Sequence, residues 1–175
     1  MKKIAFFALA FASIACLSFY AGRKSAKEPI LQNNTVTQVA VIVKDIDKAS
    51  AAWAKLLGQD IPAASTTENN KDRPTLYKGN PSDAQAKLAF FSMNNLQIEL
   101  IQPLGQGSTW QEYLDKHGEG IHHIAFQVKN IDGMEQKFLA NGNPTVMRGG
   151  WDGGAYSYID ATNDLGCILE LLENY

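Results

Sequence analysis

Cysteine and arginine are scarce in this chain. Of its 175 residues two are cysteine, Cys16 and Cys167, and three are arginine, Arg23, Arg73 and Arg148. Cys16 lies inside an apolar N-terminal run, so the rest of the chain keeps one thiol and cannot close an internal disulfide; its stability has to come from packing. Positive charge is also short. Residues 1 to 24 hold four of the sixteen cations and no acid, which leaves 12 minus 18, or −6, for the remainder and excludes a nucleic-acid surface. With six prolines, 19% charged and 45% hydrophobic residues, the composition excludes disorder, collagen-like repeats and a polytopic membrane protein. The length suits one domain.

One long apolar run is present, eighteen residues from Ile4 to Ala21 after Lys2 and Lys3. A cleaved signal needs about 7 to 15 apolar residues and a spanning helix about 20, so residues 1–24 read as a signal peptide or an N-terminal membrane anchor. The Ser13-Ile14-Ala15-Cys16 stretch loosely resembles a lipoprotein cleavage box with Cys16 as the lipidated residue; the alternative is that Cys16 is one more apolar side chain. Residues 25–35 are polar and suit a linker. The expected location is outside the cytoplasm, periplasmic or anchored at the outer face of a membrane, with membrane contact only through this segment.

Residues 38 to 47 (QVAVIVKDID) and 123 to 132 (HIAFQVKNID) agree at five of ten positions, which marks an internal duplication. Each copy reads as a strand, then an Asp opening a helix: Asp47 before a helix ending at Gly58, and Asp132, with Glu135 as a capping box, before one ending at Gly142. Strands follow at about Leu88 to Met93 and Leu96 to Gln102, joined by Asn94-Asn95, and at Thr145 to Met147, Ala155 to Ile159 and Cys167 to Leu172. A weak strand near Leu76 to Lys78 completes the first copy. The fold class is α+β: two tandem β-α-β-β-β modules, 36–104 and 121–172, joined by a helix at 108–117 and curved around a central cup.

Side chains alternate faces along a strand. Val39, Val41 and Val43 share one face with Ile124, Phe126 and Val128 of the other copy, and these faces want the helices. Gln38 and His123 then fall on the opposite face, as do Glu99 and Glu170, each in an apolar-Glu-Leu-apolar frame. A carboxylate inside an apolar strand is costly unless paired or coordinated. Two of them facing a His and a Gln suit one divalent ion, Zn, Co, Ni, Mn or Fe, or else a hydrogen-bonded polar core without metal. His122 points to the other face as a packed core residue, and His117 ends a helix where solvent and the helix dipole suit it.

The duplicated pattern, the run GEGIHHIAF at 118–126 and the segment IELIQPL at 98–104 resemble the vicinal oxygen chelate superfamily. That group includes glyoxalase I, methylmalonyl-CoA epimerase, extradiol dioxygenases and bleomycin-resistance proteins. The two segments look most like the epimerase branch. The resemblance covers about Val36 to Leu172 and implies four metal ligands at Gln38, Glu99, His123 and Glu170. Epimerases usually carry His where this chain has Gln38, and a Gln/Glu/His/Glu set is similar to one form of glyoxalase I. The absence of His from the first module disfavours dioxygenase chemistry.

The resemblance implies an isomerase or lyase in which a divalent ion polarises a carbonyl or thioester oxygen while Glu170 or Glu99 moves the adjacent proton. The competing class is a non-catalytic small-molecule-binding protein of the resistance type. An epimerase also wants a second base, for which the strand at 86–93 offers Lys87 and no acid. Arg148, beside the Gly-rich stretch 149–154 read as a mobile loop, and Trp151 are candidate substrate contacts over the cup; an ordinary hairpin loop with a surface Arg148 is the equal alternative. Members of the superfamily often dimerise, which allows a homodimer.

Overall fold

The computed structural model describes residues 28–175. The expected signal or anchor at 1–24, with Cys16, lies outside the described residues. Ile30 and Leu31, from the expected linker, rest against the core of the second half. Among the described residues no helix is long and apolar enough to cross a membrane.

The first half runs β1 (Val36–Ile42), α1 (Ile46–Leu57), β2 (Ser65–Thr66), β3 (Leu76–Tyr77), β4 (Asn80–Pro81), β5 (Ala86–Ser92) and β6 (Gln97–Pro103). Helix α2 (Thr109–His117) connects it to β7 (Gly120–Gln127), α3 (Ile131–Ala140), β8 (Thr145–Trp151), β9 (Gly154–Ala161), α4 (Thr162–Leu165) and β10 (Cys167–Asn174). All strands join one strongly curled, half-barrel sheet in the order β2-β5-β6-β1-β7-β10-β9-β8-β3-β4. The α+β class and the paired halves expected from the repeat are observed. The halves meet where β1 runs antiparallel to β7, and each is flanked by a parallel partner, β6 beside β1 and β10 beside β7.

The apolar faces pack as alternation required. On the convex side α1 covers Leu100, Phe91 and Ala89 of the first half, and α3 covers Phe126, Leu169, Leu171 and Ile159 of the second. On the concave side α2 fills one end of the half-barrel, where Trp110 packs with Ala40, Ile42, Ile101, Met147 and Tyr158. The other end stays open.

Both helix starts lie two residues earlier than the sequence suggests. Asp45 caps α1 by accepting from Lys48 N, and Asn130, at φ 56°, caps α3 by accepting from Gly133 N. Asp47 and Asp132 sit in the first turn, where a negative charge favours the helix dipole. Gln102 and Glu173, equivalent in the repeat, take further N-terminal amides: Ile46 N donates to Gln102 Oε1 at 2.9 Å and Ile131 N to Glu173 Oε2 at 2.9 Å. The expected hairpin at Asn94-Asn95 forms, with Met93 N donating to Leu96 O.

One expectation is corrected. The strand at Leu76–Tyr77 does not complete the first module; it pairs with β8 of the second, Leu76 opposite Arg148 and Tyr77 opposite Met147, while Ser65–Thr66 takes the place beside β5. Residues 67–85 thus strap the two outer edges of the half-barrel together. Of the two readings of the Gly-rich stretch, the ordinary hairpin holds: Gly149 and Gly150 are paired within β8, opposite Tyr156 and Ala155, and only Asp152 and Gly153 turn the chain. Gly149 is needed for approach, because a Cβ there would stand 2.6 Å from the Tyr156 hydroxyl.

Candidate metal centre

The register of the four central strands builds a two-row floor. One row reads Gln97, Gln38, Ala125, Glu170 across β6, β1, β7 and β10, and the next reads Glu99, Ala40, His123, Ile168. The polar residues of both rows rise from the concave face around two alanines that leave room between them.

Glu99, His123 and Glu170 offer ligand atoms within 4.8 Å of one another, and all three are buried. His123 Nε2 lies 3.1 Å from Glu170 Oε2 and 3.5 Å from Glu99 Oε2. These same three atoms find no hydrogen-bond partner outside the cluster, and within it they face one another as an ion pair. Buried polar atoms are nearly always satisfied, so three that converge on one point with no partner beyond one another fit the coordination of a cation, and a two-carboxylate, one-imidazole set carries the charge a divalent ion needs. Gln38 Nε2 donates to Gln97 Oε1 at 3.2 Å, which leaves the amide oxygen as the atom Gln38 can offer a cation.

The electrostatics match a site short of positive charge. Burial pushes the Glu99 carboxyl up, and the neighbouring Glu170 adds to this while His123 opposes it. Burial works against charge on His123, yet Glu170 and Glu99 outweigh it and lift the imidazole to about 9. The Tyr158 phenol is held well above its ordinary value by burial and by both carboxylates, and it accepts a hydrogen bond from Trp110 Nε1 at 3.1 Å. Burial likewise pushes Tyr156 up to about 12.

His122 does not point to the other face. A bulge in β7, where the register to β1 shifts between Ala40 and Val41, breaks the alternation and brings its ring beside that of His123. The two Nδ1 atoms are 2.9 Å apart. Burial, and then His123, hold His122 well below its ordinary range, so it stays neutral.

A cavity of about 720 Å³ opens above the cluster. Gln38, Glu99 and Glu170 form its floor, Trp110, Tyr156 and Tyr158 one wall, and residues 67–70 of the strap part of its rim. Trp151 is at the mouth, 39% exposed, its ring over Gly154. Arg148 is not in the cavity: its Nη1 lies 2.7 Å from Glu135 Oε2 and 3.6 Å from Asp132 Oδ1 on α3, so the expected contact with a substrate over the cup is corrected. Lys87 is absent from the lining too, since Leu88 and Phe90 are the cavity-facing residues of β5. Sequence reasoning missed Tyr156, Tyr158 and Trp110; the i, i+2 spacing of the tyrosines on one strand was the available signal for the first two.

Comparison with known proteins agrees with this architecture. The family model described as Glyoxalase/Bleomycin resistance protein/Dioxygenase superfamily matches residues 37–159. An ethylmalonyl-CoA/methylmalonyl-CoA epimerase of Cereibacter sphaeroides is 28% identical over 144 residues, covering 78% of this chain and 95% of its own. The human mitochondrial methylmalonyl-CoA epimerase is 28% identical over 127 residues, 64% of each chain. Among solved structures, a methylmalonyl-CoA epimerase from Mycobacterium tuberculosis shares the fold with a TM-score of 0.57 at 23% identity, covering 83% of this chain and 93% of its own.

Proposed function

The chain belongs to the glyoxalase/bleomycin resistance protein/dioxygenase superfamily, and from that premise we propose that it removes a proton next to a carbonyl or thioester group, as an epimerase or glyoxalase-like lyase does. The observation that supports this is the convergence, on the floor of an open cavity, of three buried donor atoms that have no partner beyond one another. A pure binding pocket has no use for two buried carboxylates there.

Glu99, His123, Glu170 and the Gln38 oxygen would hold one divalent ion, which when bound supplies a Lewis acid for the substrate oxygen. Glu99 comes from β6 and Glu170 from β10, the outer strands of the central four, so they flank the cluster from opposite sides. Either carboxylate can serve as the base that moves the proton next to the carbonyl. Tyr158 accepts from Trp110 and keeps its own proton to donate towards an oxygen that gains charge. The methylmalonyl-CoA epimerases among its relatives make a thioester one substrate class to test.

Deuterium exchange from solvent into α-acidic thioesters and hemithioacetals tests the reading. Metal-dependent exchange for at least one compound, strongly reduced in Glu170→Gln with the ion retained, supports it; exchange that survives both metal removal and that substitution sinks it. The proposal includes an exported location, supported by the apolar run at 4–21. A C-terminal reporter active only outside the cytoplasm checks this, and silence of that reporter overturns it.

A further inference from the structure

His122 is a buried polar residue that the mechanism has not used. It is 2% exposed, and its ring is boxed edge-on by Tyr113 at 5.4 Å and by Tyr158 at 5.5 Å, with interplanar angles of 86° and 87°. Two aromatic walls hold the plane of its ring. In that orientation its Nδ1 meets His123 Nδ1 at 2.9 Å. Two bare nitrogens would repel at this distance, so one proton lies between them, and the remaining question is which ring carries it.

The position of His123 decides. Its Nε2 is the atom that faces Glu99 and Glu170. An imidazole binds a cation through a bare nitrogen, so an Nε2 ligand must carry its proton on Nδ1. His122 Nδ1 is then the acceptor, and the His122 proton sits on Nε2. The β7 bulge makes this possible: without the extra residue opposite β1, strict alternation would send His122 to the convex side.

We propose that His122 is a positioning residue that selects the Nε2-ligating tautomer of His123 and fixes its ring over the floor of the site. Neighbouring acceptors of this kind commonly set the tautomer and basicity of ligating histidines, and losing them costs about 10- to 100-fold in metal affinity. The proposal rests on the reading of the cluster as a metal centre, so its test has one arm for the ion and one independent of it.

In the first arm, Co(II) binding followed by its visible absorption compares the full chain with His122→Phe, which keeps a flat ring but no acceptor, and with His122→Asn, whose side-chain oxygen can replace Nδ1. The expected result is affinity at least tenfold weaker in the phenylalanine variant and largely restored in the asparagine one. Equal affinity of wild type and His122→Phe, or equal losses in both variants, overturns the proposal. The second arm reads the tautomers directly by 15N NMR of histidine-labelled wild type without metal at a pH above about 9, where His123 has lost its imidazolium proton and both rings are neutral. His122 protonated on Nε2 and bare on Nδ1 supports the proposal, and the opposite tautomer overturns it even if either variant fails to fold. A wild type that takes up no ion sinks the metal reading, while the tautomer still decides the place of His122.

Discussion

Ala40 and Ala125 are diagonal neighbours across the β1 and β7 ladder, and each stands between two polar positions of the site. Ala40 lies between Glu99 and His123, and Ala125 between Gln38 and Glu170. Both are fully buried. They are equivalent in the repeat, and their small side chains keep open the volume on which the ligands converge. Ala125→Val should therefore lower divalent-ion affinity by more than tenfold, while overpacking costs about 1 to 3 kcal/mol of stability. Calorimetric titration with Zn or Ni beside a thermal melt of the same sample checks both halves of the expectation.

Removing a ligand has a different signature. His123→Ala leaves Glu99 and Glu170 buried without their cationic or metal partner, and breaking such a cluster costs about 3 to 5 kcal/mol near neutral pH. Metal content measured by elemental analysis should fall from about one ion per chain to none, with a lowered melting temperature. A variant that keeps its ion would show that the ligand set lies elsewhere.

Arg148→Ala separates the surface role of that residue from a role in binding. Its partners Glu135 and Asp132 lie on α3, outside the cavity, so exchange kinetics should stay within about twofold of wild type. Stability should drop by roughly 1 kcal/mol or less, as for other partly exposed ion pairs. A large rise in KM would return Arg148 to the substrate.

Glu112 gives the fold an acid-sensitive tie. Lys116, Lys78 and Tyr77 hold its carboxyl down to about 2, linking α2 to the strap. Because the folded value lies below the ordinary one of 4.5, this contribution is fully present above about pH 4.5 and is lost as pH falls through 2. Glu112→Gln should melt lower than wild type at pH 6, by roughly 1 kcal/mol or less after solvent screening, and the gap should close between pH 4.5 and 2.

No lysine or arginine among the described residues lines the cavity, whereas Glu68 and Asp152 stand at its rim. A pantetheine thioester should therefore outperform the matched coenzyme A thioester in kcat/KM at low salt, with the difference shrinking as salt screens repulsion of the phosphates. Preference for the coenzyme A ester at every ionic strength would contradict the expectation.

The halves, their helices and the shared face of Gln38, Glu99, His123 and Glu170 were legible because duplication and strand alternation are local patterns. The His122 contact was not, since the bulge that turns its ring appears only in the register between β1 and β7. Nor was the position of Arg148, whose partners are set by α3 packing on the sheet. The strap escaped for a related reason: strands of two residues show no periodicity, and β3 pairs across the molecule with β8.

That crossing changes what the duplication means. The chain repeats a module, but the first copy carries β3 and β4, which extend the edge of the second, so a cut at Gly105 to Gly107 would give one fragment with an orphan hairpin and another with a bare β8. The two copies are mutual parts of one sheet, and separating them at that junction would strip β8 of its neighbour.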